Sequence, residues 1–314
     1  MLPVLALAAS LTSFALAPGG DTTLVVPQGL DLSVANYAGE VFIEGWDQNS
    51  LRIRTDHSDE DRVIVYPERG SVVVKAYSKH EDDRSADIRL LVPLWMNVVV
   101  SGIHTDVIVT GTQARVKVDT VHGDVIVRGG RRLIDLNTVN DDICVSDADG
   151  TVRAETVNGD AYVWRTESDS VDVSTVNGDV VYEGSMSERG VYRFTSHNGD
   201  IAVAVPRAAN AAVAVSTFSG DFESSFPVTL TGTHNSKRFQ FCVGNCSSRV
   251  ELSSFQGTIQ IYRAASMASS RVQRIDEIVD RIIDKRLDKK IDRATRIVHK
   301  MKERYQKRHD TGDG

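Results

Sequence analysis

The sequence predicts an all-β parallel solenoid of about 18-residue coils, followed by a long amphipathic α-helix. Three observations carry that expectation. A turn of the Thr-Val-Asn-Gly-Asp type returns along the chain at near-constant spacing. Apolar residues stand in columns when each unit is counted from its acidic residue. The apolar period then changes from two to between three and four after about residue 266.

The repeat comes first. Val121-His122-Gly123-Asp124, Val139-Asn140-Asp141-Asp142, Val157-Asn158-Gly159-Asp160 and Val176-Asn177-Gly178-Asp179 are copies of one turn, continued by His197-Asn198-Gly199-Asp200 and Phe218-Ser219-Gly220-Asp221. Ile103-His104-Thr105-Asp106 precedes them, and the acidic positions follow one another at 18, 18, 18, 19, 21 and 21 residues. Tyr37-Ala38-Gly39-Glu40 and Phe255-Gln256-Gly257-Thr258 fit the same template at the two ends. Eight and six positions before the acid the side chains are apolar, as in Val116 and Val118 or Val171 and Val173. Four before it stands Thr120, Thr138, Thr156, Thr175, Ser196 or Thr217, and one and three after it stand residues such as Val125 and Val127. This is strand alternation on both sides of a turn.

Asn-Gly is a strong hairpin signal. A hairpin would set the flanking residues opposite each other on one face, yet here one is apolar and the other acidic in unit after unit. The apolar parity also switches across the turn. Both facts favour a corner between stacked coils with parallel strands. Stacking at about 4.8 Å would join narrow apolar faces into one core. Glycine would serve a corner that demands positive φ, asparagines would form an amide ladder, and threonines would hydrogen-bond along the stack. Asn158, Gly159, Asp160, Asn177, Gly178, Asp179, Asn198, Gly199 and Asp200 are therefore read as architecture. The repeat domain spans 24–263, with strand insertions over 47–97 and 222–249, one end of which would cap exposed strand edges.

The ends read differently. Residues 1–17 read as a signal peptide: Leu2 to Leu16 is apolar or small and uncharged, shorter than the roughly 20 residues of a membrane span. Cleavage after Ala15 is favoured over Ala17, which Pro18 follows. Over 266–309, Val272, Ile275, Ile278, Val279, Ile282, Ile291, Ala294, Val298, Met301 and Tyr305 recur mainly at spacings of three and four among charges, with Leu287 off the strict register, an amphipathic helix pattern. Three roles fit it: docking on the solenoid, a self-associating coiled coil, or a basic helix on anionic envelope surfaces.

Composition narrows the function. Aromatics make up 6% of the residues and apolar residues 41%, so the core is one of Val, Ile, Leu and Ala, suited to pleated surfaces. A net charge of −7 argues against a nucleic-acid partner. Cys242 and Cys246 could pair in an oxidising compartment across a short turn. The three cysteines offer no second pair at zinc-site spacing.

The repeated Thr-Val-Asn-Gly-Asp coils, together with Phe226-Pro-Val-Thr-Leu-Thr-Gly and Ser254-Phe255-Gln256-Gly257-Thr258-Ile259, resemble a bacterial exported β-strand-repeat family of unknown function that carries the name "putative adhesin". The resemblance covers roughly residues 24–263. It implies a right-handed β-helix-like fold and an extracytoplasmic location in periplasm, at the cell surface or secreted, and it brings no catalytic residues.

The expected function is a non-catalytic envelope or surface protein, adhesin-like or a scaffold, binding a glycan or protein. Catalytic, cofactor and metal residues are expected to be none, and self-association is expected through 266–309. Two alternatives stand beside it. A carbohydrate-active enzyme on acidic polysaccharide would use clustered carboxylates, but the aspartate column is the repeat itself and not a local exception to it. A calcium-binding repeat protein would use the same column to relieve stacked charge.

Overall fold

The computed structural model describes residues 13–78, 85–229 and 238–263. The chain opens with β1 (Phe14–Leu16), β2 (Asp21–Val25) and the long β3 (Asp31–Trp46). Next come β4 (Ser50–His57), β5 (Asp61–Glu68), β6 (Ser71–Ser78) and β7 (Ala86–Pro93). The repeats supply β8 (Val98–Thr110), β9 (Val116–Asp119), β10 (Val125–Arg128), β11 (Arg131–Asn137), β12 (Ile143–Ser146), β13 (Asp149–Glu155), β14 (Ala161–Asn177), β15 (Val180–Gly184), β16 (Val191–Asn198), β17 (Ile201–Val205) and β18 (Ala211–Thr217). They are followed by β19 (Phe222–Ser224), β20 (Arg238–Val243), β21 (Ser248–Gln256) and β22 (Ile259–Arg263).

Each unit gives one strand before its Asn-Gly-Asp corner and one after it. The strands before the corner form wall A: the first halves of β3 and β8, then β9, β11, β13, the second half of β14, β16, β21 and β18. Those after it form wall B: the second halves of β3 and β8, then β10, β12, the first half of β14, β15, β17, β22 and β19. All these pairs are parallel, and from β8 to β17 they are one repeat apart; Val125, for example, lies between Val107 and Ile143.

The expectation of a β-solenoid, right-handed and β-helix-like, with a long C-terminal helix is corrected here. β8 and β14 run through the bends without a break and belong to both walls. Pairing therefore passes from β8 through β9, β11 and β13 to β14, and back through β12 and β10 to β8, closing a parallel barrel of seven strands. The remaining strands extend it at both ends. The physical reason is strand length: the 17-residue β14 carries the hydrogen-bond ladder from one wall into the other. No helix occurs among the described residues. The helix expected over 266–309, and the coiled coil expected with it, lie outside them.

At one end the sheet turns antiparallel. β6 and β7 pair in parallel with β3, β5 runs antiparallel to β6 and β4 antiparallel to β7. β1 and β2 add antiparallel outer strands on β5 and β4. Residues 1–12 of the expected signal lie outside the described residues, while Phe14 and Leu16 pair with Val65 and Val63. At the other end β20 runs antiparallel to β18. β21 lies between β16 and β18, and β22 between β17 and β19.

The main core fills the space between the walls. Val116, Val118, Ile134 and Leu136 from wall A belong to one cluster with Val125, Val127, Ile143 and Val145 from wall B. Each such side chain contributes about 1.5–3 kcal/mol on full burial. Tyr182, Tyr192 and Phe194 enlarge the core towards the β22 end, with ring centroids 4.9 and 5.9 Å apart.

The walls differ on their outer faces. Wall A alternates buried and accessible residues, as strands with one wet face do. Its outer side carries ion pairs such as Lys117–Asp135 and Arg193–Asp172. Wall B is buried on both sides: every residue of β12 and β17 is buried. Its outward residues Phe42, Ile108, Ile126, Cys144, Tyr162 and Val181 belong to a second apolar cluster, separate from the core.

Candidate interaction surface

The Asn-Gly-Asp corners place three side-chain ladders side by side. In the outermost, Asn158 Nδ2 donates to Asn140 Oδ1 at 2.9 Å, Asn177 to Asn158 and Asn198 to Asn177 both at 2.8 Å. His122 and His104 continue that column as parallel rings 4.7 Å apart. Beneath it lies the hydroxyl column: Thr156 donates to the Asp141 carbonyl at 3.1 Å, Thr175 to Gly159 at 2.9 Å and Ser196 to Gly178 at 2.9 Å.

The aspartates form the third ladder. The backbone N–H of Asp160 donates to Asp142 Oδ1 at 2.9 Å, that of Asp179 to Asp160 at 2.7 Å and that of Asp200 to Asp179 at 2.8 Å. Thr258 N–H closes the series on Asp200 at 2.6 Å. Each of these carboxylates thus receives the N–H of a corner residue in the neighbouring unit, one position before that unit's wall B strand. Burial pushes Asp179 up to about 6, against the opposing N–H of Asp200, and the charges of Asp160 and Asp200 push the same way. Burial, reinforced by Asp160, likewise raises the Tyr162 phenol, which donates to Asp160 Oδ2 at 2.7 Å. No group of three or more His, Cys, Asp or Glu side chains able to hold a metal ion occurs among the described residues.

The glycines need a different explanation from the one expected. Gly123 and Gly257 do hold φ of +118° and +142°. Gly159, Gly178 and Gly199 are not left-handed; a Cβ at each would run into the carbonyl of Asp141, Gly159 or Gly178 in the unit below. Glycine is required there because backbones stack too closely for a side chain. Asp141, which replaces glycine in the irregular unit, holds φ of 108° and accepts the Gly123 N–H at 2.9 Å. Away from the corners, Cys242 and Cys246 form a disulfide with Cα atoms 5.4 Å apart.

A surface that sequence reasoning missed runs along wall A beside the corners. The residue three before each acid points outward, and Val121, Val139 and Val176 are exposed there. In the last units rings replace valine. His197 stacks on Phe255 at 4.6 Å and Phe255 on Phe218 at 4.7 Å, with planes within 5°. Phe218 ends the column and is 70% exposed.

Two residues earlier, the last four units carry a row of hydroxyls: Ser174 opposite Thr195, Thr195 opposite Ser253, and Ser253 opposite Ser216. Arg238 closes it, its Nε 3.1 Å from Ser216 Oγ. The ring column and the hydroxyl row line one groove of about 590 Å³. It is an amphipathic track on a rigid sheet: hydroxyls that donate and accept, the Arg238 cation, the Glu155 carboxylate, and an open phenyl face. The sequence held a signal for it, since His197, Phe218 and Phe255 all occupy an offset that is Val or Ile in most other units.

Comparison with known proteins gives little beyond this geometry. No family model matches the chain, and no curated protein matches it. Among solved structures, a "putative cell adhesion protein" from Clostridium sporogenes is 9% identical, covering 77% of this chain and 98% of its own with a TM-score of 0.25. A "putative adhesin" from Bacteroides fragilis is 10% identical over 77% of this chain and 95% of its own, at 0.43. A "Putative lipid binding protein" from Parabacteroides distasonis is 12% identical over 81% and 97%, at 0.31. The chain is thus similar to proteins bearing adhesin names at very low identity.

Proposed function

We propose that this chain is a non-catalytic, extracytoplasmic surface protein of adhesin-like role that binds an extended glycan along the wall A track. The observation that carries the reading is the stacked ring column ending in the open face of Phe218, set beside an unbroken hydroxyl row. A sugar chain presents hydroxyls at regular intervals and apolar C–H faces between them, the two features such a track meets. The sheet holds the track in place before binding, so little ordering entropy opposes association. The aspartate column supports a non-catalytic reading, because its carboxylates are committed to backbone N–H groups of neighbouring units.

The test is a glycan and matrix-protein array with the intact protein and a Phe218→Ala/Phe255→Ala variant. The expected result is a glycan signal that weakens at least tenfold in the variant, with no cleavage of bound polysaccharide. Equal binding by both proteins would remove the track from the proposal, and turnover lost in Asp160→Asn or Asp179→Asn would replace it with the enzyme reading.

A further inference from the structure

The hydroxyl row on wall A is one stretch of a longer column, and strand register fixes what stands at its two ends. Glu155 of β13 lies opposite Ser174, and Arg238 of β20 lies opposite Ser216. The order across the sheet is Glu155, Ser174, Thr195, Ser253, Ser216 and Arg238. Both charged residues are exposed, and both line the groove that holds the rings and hydroxyls. Five strand steps at about 4.8 Å each set them about 24 Å apart. Physiological salt screens charges beyond about 8 Å, so each end acts on a ligand independently of the other.

The column two residues earlier in the same strands behaves differently. There Arg193 pairs with Asp172 and Glu251, and Lys117 pairs with Asp135. Those charges neutralise one another on the sheet. Among the described residues no ion pair engages Glu155 or Arg238, and no hydrogen bond engages the hydroxyls of Ser174, Thr195 and Ser253. Arg238 uses Nε on Ser216 Oγ at 3.1 Å, which leaves its two terminal nitrogens to grip a carboxylate.

Building on the glycan-binding role set out above, we propose that the track takes a zwitterionic glycan in one direction, with an amino group of the sugar chain at Glu155 and an anionic group at Arg238.

The charges select this ligand by their signs. A purely acidic chain gains at Arg238 and is repelled at Glu155, and a purely basic chain meets the reverse. A chain with opposite charges at its two ends gains at both. The direction of the row selects a glycan over an extended peptide. The row crosses its strands, so a ligand lying along it meets side chains and finds no open backbone ladder of the kind strand addition uses. A sugar chain needs none. Its hydroxyls meet Ser174, Thr195 and Ser253, and its C–H faces meet His197, Phe255 and Phe218, which follow two residues after Thr195, Ser253 and Ser216.

The test titrates the full chain, by calorimetry, with two N-acetylglucosamine oligosaccharides long enough to reach from Glu155 to Arg238. One is uncharged. The other carries an amine and a photo-reactive diazirine on its reducing-end sugar and a uronic acid at the opposite end. The charged probe is expected to bind at least tenfold tighter than the uncharged one, and Glu155→Gln or Arg238→Gln to remove at least threefold of that gain. After irradiation the diazirine is expected on β13, and in Glu155→Arg/Arg238→Glu on β20. A cross-link that stays in place in that variant would overturn the proposal. Equal binding of the two probes, still weakened by Phe218→Ala/Phe255→Ala, would also overturn it while leaving the glycan track standing. Binding of neither probe would remove both readings, and binding of an extended peptide with free termini in place of both sugars would replace the glycan with a peptide.

Discussion

Walls A and B are built from the same repeat and share strands, yet they treat their outer faces in opposite ways. Wall A follows apolar-in, polar-out alternation, and outer acids such as Asp135, Asp172 and Glu251 have cationic partners. Burial by itself would raise Glu251, but the Arg193 and Arg249 guanidiniums beside it outweigh that and hold it below the usual carboxylate range. Wall B is apolar on both sides, and Asp179 at its margin is pushed the other way, to about 6. One repeat can therefore carry two surface chemistries, because each half of the unit has its own outward positions. The proposed binding track belongs to the wet wall.

The largest effect should come from placing a charge on each face. Ile126→Asp, on the dry face, is expected to cost at least about 3 kcal/mol as a buried, unpartnered carboxylate. Val99→Asp, outward on wall A opposite Lys117, should cost less than about 1 kcal/mol. Urea unfolding of the two variants measures both, and equal losses would erase the distinction between the walls.

The corner that joins the walls comes next. Gly178→Ala drives a Cβ into the Gly159 carbonyl and should cost about 1–3 kcal/mol by the same measurement; a neutral result would mean that the units stack less closely than described.

Asp179→Asn should act in the opposite sense. A carboxylate raised to about 6 in the folded chain, from about 3.9 unfolded, binds its proton more tightly when folded. Stability therefore falls as pH rises from about 4 to 6 and stays lower above 6. Asparagine keeps an acceptor for the Asp200 N–H without the charge. The variant should be more stable than the parent at pH 7.5 by on the order of 2 kcal/mol, and the gap should close near pH 4. Thermal melts across pH 4–8 would show it, and a constant gap would place the cause elsewhere.

Arg193→Ala, which loses its pairs with Asp172 and Glu251, should cost no more than about 1 kcal/mol, and less at high salt. A loss insensitive to salt would contradict the wet character of wall A.

The sequence made the columns legible because each unit carries its own origin, the acidic residue, from which inward valines and corner threonines can be counted. The parallel stacking followed from the parity switch across Asn-Gly-Asp. Closure of the sheet was not legible: whether Ala161–Asn177 is one strand or two depends on hydrogen bonds to both neighbours, and nothing at Glu167 or Asp169 marks a strand that continues. The reason for Gly159 and Gly178 was hidden too, since a glycine that avoids a carbonyl in the next layer looks like one that holds a positive φ. Double-sided burial of wall B had a trace, apolar residues two after the acid at Ile126, Cys144, Tyr162 and Val181, but three apolar residues in a row also suit a strand buried between helices. The hydroxyl row was unreadable because Ser216 and Ser253, far apart in the chain, become neighbours only through the order of the last strands.

That order has a consequence for how the molecule is made. Ser248–Arg263 leaves the ribosome after Ala211–Ser224, yet its two strands occupy the place between that segment and the unit before it. At roughly 5–20 residues per second, the berth beside β16 and β17 stays empty for seconds while the segment destined to sit beyond it already exists. A growing chain that laid β18 directly on β16 would have to release it again. This end of the protein is thus the place where a nascent-chain binding factor, or a synonymous-codon pause, would most alter the yield of correctly assembled molecules.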